Sequence, residues 1–318
     1  MRKSIAAIGL VALALGQLRT SNPAQAATGV SKASNVDFNG DGFSDYAVAR
    51  DNGGQVTYYV NGNSQVNWGL NTDTVVSCDF DGDGKDDRAV WRPGAATVAR
   101  FYILQSATNT VRQEAFGQTG DNPSVSADYD GDGKCDLAVY RDGANPGDQS
   151  YFYYRGSFNN PGGNVSYVPW GLNGDFPAMG DYDGDGKWDF AVQRAGMFWI
   201  KSASGSSAVT FGGASDSIIP GDYDGDGKSD LAVRRAVFGQ HLYYIRQSSN
   251  GAVRYGVAWG STGWSSAPGD YDGDGKTDLS EWNPSTGQFW TRRSSDGGVT
   301  IFKWGQNLDY VLAGSQVN

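Results

Sequence analysis

The stretch GDYDGDGKSDLAVRR, residues 221–235, holds two patterns side by side. From Asp222 it reads D-x-D-x-D-G-x-x-D, with carboxylates at Asp222, Asp224, Asp226 and Asp230. Four carboxylates within nine residues repel one another unless a cation sits among them. Gly227 permits a sharp turn, and the next residue offers a backbone carbonyl. A hard divalent ion with flexible oxygen coordination fits this set, and calcium fits it better than magnesium. The second pattern, Leu231-Ala-Val-Arg-Arg235, is a short strand.

Working outward, the loop recurs from Asp37, Asp79, Asp128, Asp181 and Asp270, at spacings of 42, 49, 53, 41 and 48 residues along the six copies. The expected ligands are Asp37, Asn39, Asp41 and Asp45, then Asp79, Asp81, Asp83 and Asp87, then Asp128, Asp130, Asp132 and Asp136. They continue as Asp181, Asp183, Asp185 and Asp189, with Asp222, Asp224, Asp226 and Asp230, and end at Asp270, Asp272, Asp274 and Asp278. Six calcium sites are expected, the first weakened by the amide of Asn39. A solvated acidic turn is the plainer alternative, but six copies at one internal spacing count against it. The sixth loop also satisfies the EF-hand expression with Glu281 at position 12, but the other five have Val there, and the flanks are strand-like. Glu281 is at most an outer ligand.

Each loop leads into a short strand, then an aromatic strand such as Met197–Ile200, then a strand ending in Trp-Gly or Phe-Gly, and then a segment running into the next loop. Four strands at this period are one propeller blade. The expectation is an all-β, six-bladed propeller rather than a seven-bladed one, with one calcium loop per blade. The run GDYDGDGKSDLAVRR, preceded by FGGASDSIIP, resembles the FG-GAP/VCBS repeats of secreted bacterial proteins and of the integrin α-chain propeller. The resemblance covers about residues 31–318. It implies calcium on the matching aspartates and says little about activity.

Arg2 and Lys3, an apolar run from Ile5 to Gly16 and Ala24-Gln25-Ala26 read as a secretory signal peptide over 1–26, leaving 27–318 as the propeller. The formal charge of −10 loses three positive residues with that segment and becomes −13. No basic patch offsets it, which argues against a nucleic-acid partner. No other long apolar stretch is present, so a soluble, extracellular or periplasmic monomer is expected. Cys78 and Cys135 stand beside adjacent loops, so either a bridge between blades or two free thiols fits.

The single histidine, His241, sits in no catalytic motif, and no zinc-type cluster exists. A binding module rather than an enzyme is expected. Two readings stand, a carbohydrate-binding, lectin-like module and a protein-adhesion scaffold at the cell surface. Repeat six departs most from the others, with Trp264 where an Asp recurs and Asn283 where an Arg recurs. Trp264, Glu281, Trp282 and Asn283 are therefore a candidate sugar-contact set, against altered packing in that blade. The recurring Asp and Arg pair as Asp73 with Arg92, Asp121 with Arg141, Asp175 with Arg194 and Asp216 with Arg235. This leaves Arg50 for Asp309, and predicts that Tyr310–Gln316 completes the first blade. The competing reading gives that place to Ser31–Val36.

Overall fold

The computed structural model describes residues 36–313 apart from Ser64. The segment read as a signal peptide lies outside these residues, as do residues 31–35 and 314–318. The described chain forms six antiparallel sheets, the blades of a propeller, and its one helical element is a 3-10 turn, Pro123–Val125. Blade two shows the plan. A short first strand, Thr74–Val75, precedes the loop, and Arg88–Arg92, Arg100–Leu104 and Val111–Ala115 follow it, paired in that order. The strand before each loop thus joins the blade that comes after it.

Second strands are buried and apolar at their centres, as in Arg88–Arg92 and Leu137–Arg141. Fourth strands alternate exposed and half-buried residues, as in Val111–Ala115 and Val299–Lys303. Each blade therefore buries its early strands and shows its last one to solvent. Blade three lacks a first strand. There Asn122 makes one bridge to Tyr140 and the chain then turns into the 3-10 element, whose N-cap is Asn122 accepting from the Ser124 N–H.

The core lies between blades. Tyr58, Phe101, Phe152, Phe198, Tyr243 and Phe289, one from each third strand, are all essentially fully buried. The Trp-Gly and Phe-Gly motifs serve this packing twice over. Trp68, Trp170, Trp259 and Trp304 each donate an indole N–H to a carbonyl on the next blade's third strand, at 3.0–3.1 Å. The glycine after each takes a positive φ, and at Gly69 a Cβ would lie 2.8 Å from Val90 of the next blade. No side chain fits there, which is why glycine follows the aromatic.

The ring closes as the Asp–Arg count predicts. Tyr310–Val311 pairs with Ala47–Asp51, and Asp309 holds Arg50 through two hydrogen bonds of 2.6 and 2.9 Å. The same bidentate pair joins Asp73 to Arg92, Asp121 to Arg141, Asp175 to Arg194 and Asp216 to Arg235. Each of these arginines also lies over an aromatic ring of its blade's third strand, as Arg92 over Tyr102 at 4.5 Å.

Candidate metal centres

The loops fold around their own backbone amides. In loop five, Asp222 Oδ1 accepts from the Gly225 N–H at 2.6 Å and Oδ2 from the Gly227 N–H at 2.8 Å. Both glycines have φ near +80°, so the sharp double turn needs them. Asp230 reaches back to accept from the Tyr223 N–H at 2.9 Å, while its other oxygen accepts from the Ser248 N–H at 2.7 Å. The turn between third and fourth strands thus locks the loop from outside.

The result brings positions 1, 3 and 9 together. Five triplets form among the described residues, Asp79-Asp81-Asp87, Asp128-Asp130-Asp136, Asp181-Asp183-Asp189, Asp222-Asp224-Asp230 and Asp270-Asp272-Asp278, each with ligand oxygens within 4.8 Å of one another. Position 5 is not in the group. Asp83, Asp132, Asp185, Asp226 and Asp274 instead accept from the N–H two residues on, at 2.9–3.0 Å. The expected fourth ligand is thus not among the three grouped oxygens, and spacing alone does not show which way its side chain turns.

These triplets suit a cation. The Oδ1 atoms of Asp130, Asp183, Asp224 and Asp272 are buried without any hydrogen-bond donor, a costly arrangement for a carboxylate oxygen unless a cation faces it. Burial, then the neighbouring carboxylates and against the backbone donors, pushes Asp136 and Asp189 up to about 7. Burial likewise takes Asp87, Asp230 and Asp278 up to about 6. A hard divalent ion would be held by the three carboxylates, and when bound it would supply the positive charge they lack.

Loop one departs, so the sites are not one per blade. Asp37 and its glycine amides keep the frame. However, the Asn39 side-chain N–H donates to Asp45 Oδ1 at 2.8 Å, placing a donor where the other loops have an acceptor. Among the described residues, no triplet including Asp37, Asp41 or Asp45 forms. The expected six sites become five.

The loops also join one another. The position-8 N–H of each donates to the position-1 carbonyl of the loop before it, from Asp86 to Asp37, Cys135 to Asp79, Trp188 to Asp128, Ser229 to Asp181 and Thr277 to Asp222, at 2.6–2.8 Å. Ser44 donates to Asp270 at 2.7 Å and completes the circle. Cys135 and Cys78 form a disulfide across one of these joints, with Cα atoms 6.1 Å apart. At three other joints Gly180, Gly221 and Gly269 face Ser229, Thr277 and Ser44 instead.

A family model for the FG-GAP-like repeat matches residues 222–279, from the start of the fifth loop to the end of the sixth. These residues carry an FG-GAP-like repeat, and with the six-bladed fold they support an FG-GAP/VCBS repeat family. No curated protein matches this chain in sequence. Among solved structures it is similar to TolB from Acinetobacter baumannii, at 16% identity and a TM-score of 0.57, over 84% of this chain and 65% of that one. The chain thus spans just under two thirds of TolB, and the likeness is one of fold. AofleA from Arthrobotrys oligospora also aligns, at 10% identity and a TM-score of 0.46, over 85% of this chain and 87% of that one.

The candidate sugar-contact set of repeat six does not assemble on the surface. Trp282 is 1% exposed and Glu281 is wholly buried. Trp282 donates its indole N–H to the Trp304 carbonyl at 3.1 Å. Trp264 packs against Trp290 at 5.6 Å between centroids, and Asn283 accepts from the Ser285 N–H. Glu281 is also no outer metal ligand. Its carboxylate meets His241 Nδ1 at 2.8 and 2.9 Å, accepts from the Tyr243 hydroxyl at 2.9 Å and lies 3.3 Å from Arg234, all from blade five. Burial pushes its pKa up, against these partners. This inter-blade cluster escaped sequence reasoning. The one available signal was Glu281 at the place where five repeats carry Val.

Proposed function

We propose that this chain is a secreted, calcium-stabilised propeller that acts as a binding module and performs no catalysis. The observation that carries the metal part is the set of buried Oδ1 atoms without donors in four of the five triplets. Extracellular calcium would keep the carboxylates ionised and hold the loops in their ring. The Cys78–Cys135 bridge is compatible with an oxidising compartment. Among the described residues, no helix is long and apolar enough to cross a membrane. The non-catalytic reading draws on His241, the only histidine, which is spent on the buried Glu281.

The test is calorimetric. Chelated protein, shown metal-free by elemental analysis, is titrated with calcium and then melted with and without it. Binding near five ions per chain and a clearly higher melting temperature are expected. A site held at a hundredfold excess over its Kd stabilises the fold by about 2.7 kcal/mol. Identical melting curves with and without calcium would remove this reading.

A further inference from the structure

The cleft between blades four and five has a volume of about 380 Å³. Ser202, Ser204, Ser207 and Val209 line it from blade four, and Arg246 and Lys228 from the side of blade five. Lys228 donates to the Asp183 carbonyl at 2.8 Å, which places an ammonium at this cleft. Asp183 is the only acid in the lining, and one of its oxygens is already held by the Ser204 N–H at 2.9 Å.

The repeat supplies an internal comparison. Arg155 in blade three and Arg246 in blade five occupy the same register place, opposite Leu137 and Leu231. Between blades two and three, Arg155 meets Glu114 of the neighbouring fourth strand at 3.1 Å. Glu114 stands opposite Phe101, and at the matching place opposite Phe198 blade four has Val209. Between blades three and four, the corresponding Lys201 lies over the Trp170 ring at 5.7 Å. Arg246 has neither answer. It is partly buried, and among the described residues it makes no ion pair. A guanidinium left without an anion inside a hydroxyl-lined cleft is poised for an incoming one, which it can hold through two parallel N–H bonds.

We propose that this cleft binds the carboxylate or sulfate group of a small polar ligand, with Arg246 as its forked donor and the serine hydroxyls around the rest of the molecule. The proposal rests on the binding-module reading and gives it a place and a ligand chemistry.

The experiment is titration calorimetry on the full chain in calcium, with glucuronate, sodium sulfate and glucose as probes. Glucuronate and sulfate are expected to compete for one site per chain, and glucose to bind neither there nor in competition. Arg246→Gln should weaken both anions at least tenfold while leaving the melting curve in place. Glu114→Val, which releases Arg155, should add a second anion site. The proposal is overturned if no anion binds, if glucose binds as well as glucuronate, or if Arg246→Gln keeps the wild-type affinity. Calcium-dependent melting is read separately. If it persists while no anion binds, the cleft assignment alone falls; if it is lost while the anions still bind, the calcium reading alone falls.

Discussion

Asn39 differs from its counterparts in the other five loops by an amide nitrogen in place of a carboxylate oxygen, and that nitrogen bonds Asp45. The loop's frame is otherwise intact, since Asp37 still gathers the Gly40 and Gly42 amides at 2.6 and 2.8 Å. Asn39→Asp should therefore raise the calcium stoichiometry from five to six, measured by titration of chelated protein. An unchanged stoichiometry would mean that something other than the amide closes loop one. The sequence shows Asn39 as a weakened ligand, which is as far as spacing goes. Whether a side chain presents oxygen or nitrogen inward depends on the neighbour it finds, and Asp45 lies six residues away. The same limit hid the bonds that Asp83 and its four counterparts accept from the N–H two residues on. It hid the His241–Glu281 contact more completely, because 40 residues and the register of two blades separate the partners.

At the scale of the blade, the Asp–Arg pair and its ring form one unit, and blade six shows what replaces it. Trp264 stands in the place of the Asp, Asn283 in the place of the Arg, and Trp264 packs on Trp290, the ring that an arginine would otherwise cover. This part of the architecture was legible in advance, because the two losses coincide in one repeat. The count that leaves Arg50 and Asp309 over then points to each of them. Trp264→Asp alone introduces a carboxylate with no arginine, and Asn283→Arg alone introduces a cation beside Trp264. Each single change should cost on the order of 1–3 kcal/mol. The pair together should recover most of it, giving a favourable interaction of about 1 kcal/mol or more in a double-mutant cycle by urea unfolding. Strict additivity would show that the five ion pairs are not interchangeable units. The missing first strand of blade three was harder to read. Pro123 does not mark it, since Pro177 stands at the matching place in blade four and pairs there, and a two-residue strand has too little pattern to show its loss.

At the scale of the whole molecule, the last strand carries a load out of proportion to its length. Deleting residues 309–318 removes Tyr310–Val311 and leaves Arg50 without its carboxylate. Breaking one side of a partly buried pair costs up to about 3 kcal/mol. The melting temperature should then fall by several degrees in calorimetry, and equal stability would contradict ring closure by this segment. Acidity should act in opposite directions on the two metal states. In chelated protein, Asp87, Asp230 and Asp278 titrate at about 6, and Asp136 and Asp189 at about 7. Unfolded aspartates titrate near 3.9, so the folded chain holds more protons between these values. Those groups stabilise the fold fully below about pH 4, and that contribution is lost as pH rises through 6 to 7. Chelated protein should thus melt higher at pH 5 than at pH 7.5. Calcium-loaded protein should do the reverse, because protons compete with the ion.

The circle of loop-to-loop hydrogen bonds makes the metal sites a closed array with periodic boundaries, interrupted at a single link. Loops two to six form an arc of five triplets, and loop one joins its ends without a triplet of its own. Triplets in loops three, four and five have another triplet on each side, whereas those of loops two and six border the interruption. In an array where each unit feels only its neighbours, interior units are held best. A chelator should therefore empty the arc from its ends, with the amides of Gly84 and Gly275 losing protection against hydrogen exchange before that of Gly186.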